Sequence, residues 1–238
     1  MLDGNDVYYS PLPLDFVQEA FKSLSASVPT YTIHVRSQSE TRSTVLPTVY
    51  LTNGDEQDNA ILRIIDDFTL NTKQALAFRI IAEHTLGRSK VGDQLLMGLF
   101  GEAGTGKSRI IHAIRAWFRT IGREYELVVT ATTGAAEFEI GGATLHSSLG
   151  IAVEKGDKPV KMSREKRAQW EAPRYLIIDE ISMMGSALMM KLNDKLCIAK
   201  SSKAAEIFGG INILFVGDFL QLPSPSSDRV YKSQPIYQ

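Results

Sequence analysis

The chain has 238 residues, 44% hydrophobic and 22% charged, an ordinary globular composition that excludes a disordered tail, a collagen-like repeat and a disulfide scaffold. Lys and Arg (26) balance Asp and Glu (27) to a net charge of -1, so bulk charge favours neither nucleic acid nor membrane, and any polyanion must be held by a local patch. The lone Cys197 rules out an internal disulfide and a multi-cysteine zinc site, the acidic start is no secretory signal, and no apolar run approaches the roughly 20 residues that span a bilayer, so a soluble intracellular protein without membrane contact is expected.

Residues 1–60 read as a loosely structured flank. They carry Pro11, Pro13, Pro29 and Pro47, a Ser/Thr-rich stretch at 37–44, one short helix at 14–24 and extended runs at 31–35 and 45–51, before an acidic turn at 53–56. Residues 61–238 form the second unit, and there the pattern becomes regular. A helix is predicted over 71–85, then an apolar run at 94–100 that ends in glycine. In 108–121, Ile110, Ile111, Ile114, Trp117, Phe118 and Ile121 fall on one helical face. Apolar runs recur at 126–131, at 176–178 (closed by two acids) and at 211–216 (closed by glycine and an acid), with a helical stripe of Leu188, Met189, Leu192 and Leu196 between the last two. The mixed-charge stretch 155–174 reads as a solvated connection. Short apolar strands alternating with helices make this an α/β fold, a parallel sheet with helices on both faces.

The strongest motif is Gly101, Glu102, Ala103, Gly104, Thr105, Gly106, Lys107, Ser108, which matches G-x-x-x-x-G-K-[ST] between a strand and an amphipathic helix. Its glycines let successive N–H groups turn inward on a polyphosphate, and the helix adds its positive end. Lys107 can reach the β and γ phosphates, and the Ser108 hydroxyl can hold Mg²⁺.

Asp179 and Glu180 follow a buried strand, at the end where ligands sit in open parallel sheets. Asp179 suits the Mg²⁺ shell, and Glu180 can orient or deprotonate an attacking water. In Gly217-Asp218-Phe219-Leu220-Gln221, Gln221 can report on the γ-phosphate, or the segment can be a plain turn. Thr132, Thr133 and Gly134, with Thr144 and His146, suit sugar–phosphate contacts and base stacking, or else form a packed turn with a satisfied histidine. Gln74 stands three residues after Asn71, which fits either a capping box or a contact to the adenine edge.

In this order the segments resemble the Pif-one family of superfamily-one DNA helicases, Helitron helicases included. The resemblance covers residues 60–225 and rests on 70–74, 101–108, 130–136 with Thr144-Leu-His-Ser147, Ile177–Glu180 with Ser182 and Met183, and 217–223. It implies a RecA-like first motor domain that uses ATP and Mg²⁺. It further implies single-stranded or forked DNA as partner, 5'-to-3' unwinding, and roles in DNA repair, recombination and telomere maintenance, in nucleus or mitochondrion. Pro223-Ser224-Pro225 departs from the family's Pro-Pro-Val. Only 16 residues follow Leu222 (238 − 222), too few for the second RecA-like domain that closes the ATP site with arginines. The chain is therefore expected to be a fragment or a transposon remnant that binds nucleotide, hydrolyses it slowly and does not unwind DNA alone. Two rivals stay open: another phosphate-loop ATPase indifferent to single-stranded DNA, and an inert nucleotide- or DNA-binding fragment.

Overall fold

The computed structural model describes residues 30–34, 56–88, 94–132, 134, 142–151 and 162–218. The helix expected at 14–24, the run at 45–51, residues 155–161 of the connection, Thr133 and everything from 219 onward, Gln221 included, lie outside the described residues.

Six strands form one sheet: β1 (Thr30–His34), β2 (Leu96–Phe100), β3 (Leu127–Ala131), β4 (Ala143–Thr144), β5 (Tyr175–Asp179) and β6 (Asn212–Gly217). Their order is β1-β2-β6-β5-β3-β4, and every neighbouring pair is parallel. Each residue of β2, β5 and β6 is buried, as the unbroken apolar runs require of strands covered on both faces.

Alternation along the strands feeds two cores. Met97, Leu99, Ile177, Leu214 and Val216 face one side, where they meet α1 (Glu56–Asp67), α2 (Thr72–Thr85) and α3 (Lys107–Thr120). Leu96, Phe100, Leu176, Ile178, Ile213 and Phe215 face the other, against α4 (Leu145–Leu149), α6 (Ser186–Ala199) and the Trp170 that ends α5 (Arg164–Gln169). The apolar face read from 108–121 is the buried face of α3, with Ile110, Ile111, Ile114, Trp117 and Phe118 each at most 1% exposed. Burial on that scale stabilises by roughly 1.5–3 kcal/mol per side chain relative to exposure.

The structure adds to the sequence reading in three places. Helix α1 crosses residue 60; its first turn carries Glu56 and Asp58, acids that suit a helix N-terminus yet resemble a turn in sequence. β1 pairs with β2 from Thr30↔Leu96 to His34↔Phe100, so the segment set apart as a flank contributes a sheet strand. In the mixed-charge connection, Trp170 is buried and its Nε1 donates to the Ser148 carbonyl at 3.1 Å, which ties that end of the connection to the second core.

Candidate active site

Strand register places the chemistry. Phe100 stands beside Gly217, Ile178 beside Phe215, and Ala131 beside Asp179. The 101–108 loop after β2, the acids after β5 and Thr132 after β3 therefore emerge at one edge of the sheet. β6 alone separates β2 from β5, so Lys107 and Asp179 leave the same edge from strands about 10 Å apart.

The loop is built for an anion. Gly104 (φ 76) and Gly106 (φ 86) lie in the left-handed region, and Glu102, Ala103 and Gly104 are exposed. Gly106 caps α3 without a side chain, and the first turn of that helix carries no acid. The amides and the positive end of a 14-residue helix are thus left facing the loop. The Lys107 ammonium lies across the curl, donating to the carbonyls of Gly101 (2.7 Å) and Glu102 (2.9 Å). A phosphate oxygen offers that ammonium a stronger, charge-assisted partner in the same place. Thr105, 4% exposed, pins the turn through its hydroxyl to Glu102 O at 2.8 Å.

Gln74 braces this loop. Its Oε1 accepts from Asn71 N (2.9 Å) while Asn71 Oδ1 accepts from Gln74 N (3.0 Å), a complete capping box. Its Nε2 donates to Thr105 O at 2.9 Å. Both ends of an amide only 2% exposed are thereby engaged inside the chain. A Cβ at residue 106 would run into Gln74 Nε2, so the brace requires glycine there.

The acids are held from β3. Asp179 is 7% exposed and its Oδ1 accepts from Glu180 N at 2.8 Å. Glu180 adopts φ 56, ψ 42, a strained conformation for a side chain with a Cβ. Thr132 clamps both peptides, with its N–H on Asp179 O (3.2 Å) and its hydroxyl on Glu180 O (2.8 Å). Ser182 buries a hydroxyl with no partner among the described residues. Such orphaned groups are explained by backbone strain, by a bound water or ion, or by a catalytic role. Gly217 joins loop to acids: its carbonyl accepts from Gly101 N at 3.2 Å, and a Cβ there would stand 2.8 Å from Ile181 Cγ2.

Of the remaining expected site residues, Gly134 is exposed, and Thr144 and His146 are half-buried on β4 and α4 beside β3. The Thr144 hydroxyl accepts from Ser147 N at 3.2 Å and donates to Ser147 Oγ at 2.9 Å, capping α4. Sequence reasoning gave Thr132 no link to the acids and Gly217 no role, because both act through main-chain contacts across strands. It also gave no role to Asp218, a buried acid that closes β6 at the same edge. An acid that ends an apolar strand was the available signal, as it was for Asp179.

The residues fit Mg²⁺. Ser108 and Asp179 offer hard oxygen donors, and no three His, Cys, Asp or Glu side chains among the described residues converge on a metal. A phosphate-borne Mg²⁺ needs only one or two protein ligands.

Comparison with known proteins bears on the same segments. Residues 69–235 match the family model described as PIF1-like helicase. The chain is 41% identical over 133 residues to the ATP-dependent DNA helicase PIF1 of Saccharomyces cerevisiae, covering 54% of this chain and 15% of that protein. The crystal structure of Pif1 helicase from Candida albicans superposes with a TM-score of 0.53 and 34% identity, over 66% of this chain and 34% of that one. Pif1 helicase from Bacteroides, crystallised with ADP-AlF3 and single-stranded DNA, gives a TM-score of 0.50 and 28% identity, over 63% and 33%. The chain thus spans a small part of its curated relative and about a third of each solved chain.

Proposed function

This chain belongs to the PIF1-like helicase family, and on that premise we propose that its RecA-like domain binds Mg-ATP at the 101–108 loop and forms the first motor half of a DNA helicase. The observation that carries the reading is the start of α3. A long helix opens on a bare glycine cap inside a left-handed loop, with Lys107 folded over it and two strand-end acids at the same edge.

In this reading Lys107 and the loop amides hold the triphosphate and stabilise charge that develops on the γ-phosphate. Ser108 and Asp179 would hold Mg²⁺, which would supply positive charge to neutralise the phosphates. Glu180 orients the attacking water and accepts its proton, at a backbone angle kept by Thr132. Gln221 senses the γ-phosphate and reports to the strand-contact loops around Thr133, Gly134, Thr144 and His146.

The partner is single-stranded or forked DNA, a reading supported by the DNA-bound Bacteroides relative. Direction (5'-to-3') and work in DNA repair, recombination and telomere maintenance follow from the family resemblance. Full turnover calls for a second RecA-like domain whose arginines reach the γ-phosphate, a contribution worth orders of magnitude in rate.

The test is ATP hydrolysis with and without single-stranded DNA, on this chain and on a C-terminally extended one. DNA-stimulated turnover in the extended chain, lost in Glu180→Gln while nucleotide binding persists, supports the reading. Turnover indifferent to DNA would favour a different phosphate-loop ATPase, and binding without turnover in both chains an inert fragment.

A further inference from the structure

At the opposite edge of the sheet, where β5 and β6 begin, lies a cavity of about 520 Å³ that the ATPase reading does not use. Arg174 precedes β5, Asn212 opens β6, and both line it. The strands run parallel, so this mouth is a full strand length away from the 101–108 loop.

Its charge is unlike that of the chain. Arg164, Arg167, Arg174, Lys200 and Lys203 line it, against the single carboxylate of Glu171, in a protein of net charge -1. Lys203 is paired at the rim with Glu206 at 3.2 Å. No carboxylate among the described residues pairs with Arg164, Arg167 or Arg174. Arg164 and Arg167 are one turn apart on α5 and so share a face. Lys200 is half-buried, and its ammonium donates to the Glu171 main-chain carbonyl, a neutral acceptor. Burial, and then the nearby Arg174 guanidinium, push the Lys200 pKa down. The site is short of negative charge. Part of its wall is the main chain of Gly209 (φ 61) and Gly210 (φ 69), both left-handed, and a Cβ on Gly210 would run into Lys203 and Glu206.

Guanidiniums with no carboxylate partner among the described residues, set around a concave surface, suit planar, bidentate recognition of phosphate oxygens. A cavity of this volume lies within the ligand-sized range. We propose that it is a second phosphate site, one that holds backbone phosphates of a nucleic-acid strand at the sheet edge remote from the nucleotide. This site stands independently of ATP hydrolysis.

The test uses the full chain carrying Lys107→Ala, which weakens the phosphate loop equally in every arm. Binding of a fluorescent oligo-deoxythymidine is read by anisotropy over a range of KCl, and binding of inorganic pyrophosphate by calorimetry. Each is measured with and without Arg164→Ala/Arg167→Ala/Arg174→Ala. The triple variant should lose at least about tenfold in oligonucleotide affinity, and its log–log salt slope should become shallower by about 2, three contacts at about 0.7 each. Pyrophosphate should compete with the oligonucleotide and lose its own binding in the variant. A control that removes three cations elsewhere, Arg63→Ala/Arg119→Ala/Lys191→Ala, should change affinity less than threefold. Equal losses in control and cavity variants would overturn the site in favour of bulk charge. Unchanged oligonucleotide affinity in the cavity variant overturns it too, and loss of pyrophosphate alone would assign the cavity to small phosphates instead of a strand. If the triple variant fails to fold by circular dichroism, Arg164→Ala/Arg167→Ala on the exposed face of α5 is read against the same criteria, with about two thirds of the slope change.

Discussion

The Thr132 hydroxyl donates to the carbonyl of Glu180 at 2.8 Å, while the Thr132 N–H bonds the carbonyl of Asp179 at 3.2 Å. One residue at the end of β3 thus grips both peptides that carry the acids of β5, and it holds Glu180 at a φ of 56. β3 leads directly into the segment proposed to touch DNA. A shift of that segment would therefore be felt first at the backbone of the proposed base.

Thr132→Val keeps the branched shape and removes the hydroxyl. It should lower stability by about 1 kcal/mol, the net worth of a typical hydrogen bond, and slow ATP hydrolysis several-fold with nucleotide affinity unchanged. Thr132→Ser should restore turnover. Steady-state kinetics beside thermal melts check both, and wild-type turnover in the valine variant would remove the clamp from the mechanism.

Gln74 bears on base recognition. With Oε1 in the capping box and Nε2 on Thr105 O, Gln74→Ala loosens the loop and not one nucleobase. KM should rise for ATP and GTP by the same factor. A rise for ATP alone would reassign the amide to the adenine edge. Gly106→Ala should be worse, since its Cβ runs into Gln74 Nε2 and the φ of 86 costs about 1–2 kcal/mol more. The double variant Gln74→Ala/Gly106→Ala should relieve the clash and keep the backbone penalty.

Much of this was legible in the sequence because it is local. A glycine-rich turn between an apolar run and an amphipathic stretch specifies its own backbone, so the 101–108 loop and α3 could be read residue by residue. Asp179 and Glu180 were legible because acids rarely end an apolar strand without cause. What could not be read lies across strands. The Thr132 clamp needs β3 beside β5, and the tight approach of Gly217 to Ile181 needs β6 beside the turn after β5. α1 was hidden because the acids that favour a helix N-terminus are also turn formers. The arginines of α5 were hidden because a charged stretch in sequence carries no sign of the cavity it borders.

Gly217→Ala tests the packing between loop and acids. Its Cβ would lie 2.8 Å from Ile181 Cγ2 and 3.0 Å from Ile181 N, an overlap with main chain that cannot swing aside. A loss of about 1–3 kcal/mol in urea denaturation is expected, together with weaker nucleotide binding. Wild-type stability would show that β6 and the turn are free to part.

Tyr175 sets an alkaline limit. Burial raises its pKa from 10.0 to about 12, and its hydroxyl lies 2.7 Å from His84 Nδ1. The unfolded chain loses this proton near pH 10 and the folded chain near pH 12, so the unfolded state binds fewer protons in between and stability falls as pH rises through that window. The drop attributable to Tyr175 is on the order of 2–3 kcal/mol. Tyr175→Phe should flatten the stability curve between pH 10 and 12 by that amount, as read by denaturation at stepped pH, and an unchanged slope would place the alkaline loss elsewhere.

Every role proposed for this site depends on the start of α3 gripping a triphosphate. Calorimetric titration of the chain and of Lys107→Ala with ATP, each with and without Mg²⁺, tests it most directly. Saturable Mg-ATP binding to the natural chain is expected, with at least about a hundredfold weaker binding to the variant, the worth of roughly 2.7 kcal/mol. Failure of the natural chain to take up Mg-ATP at millimolar concentration, or equal binding by both, would contradict it.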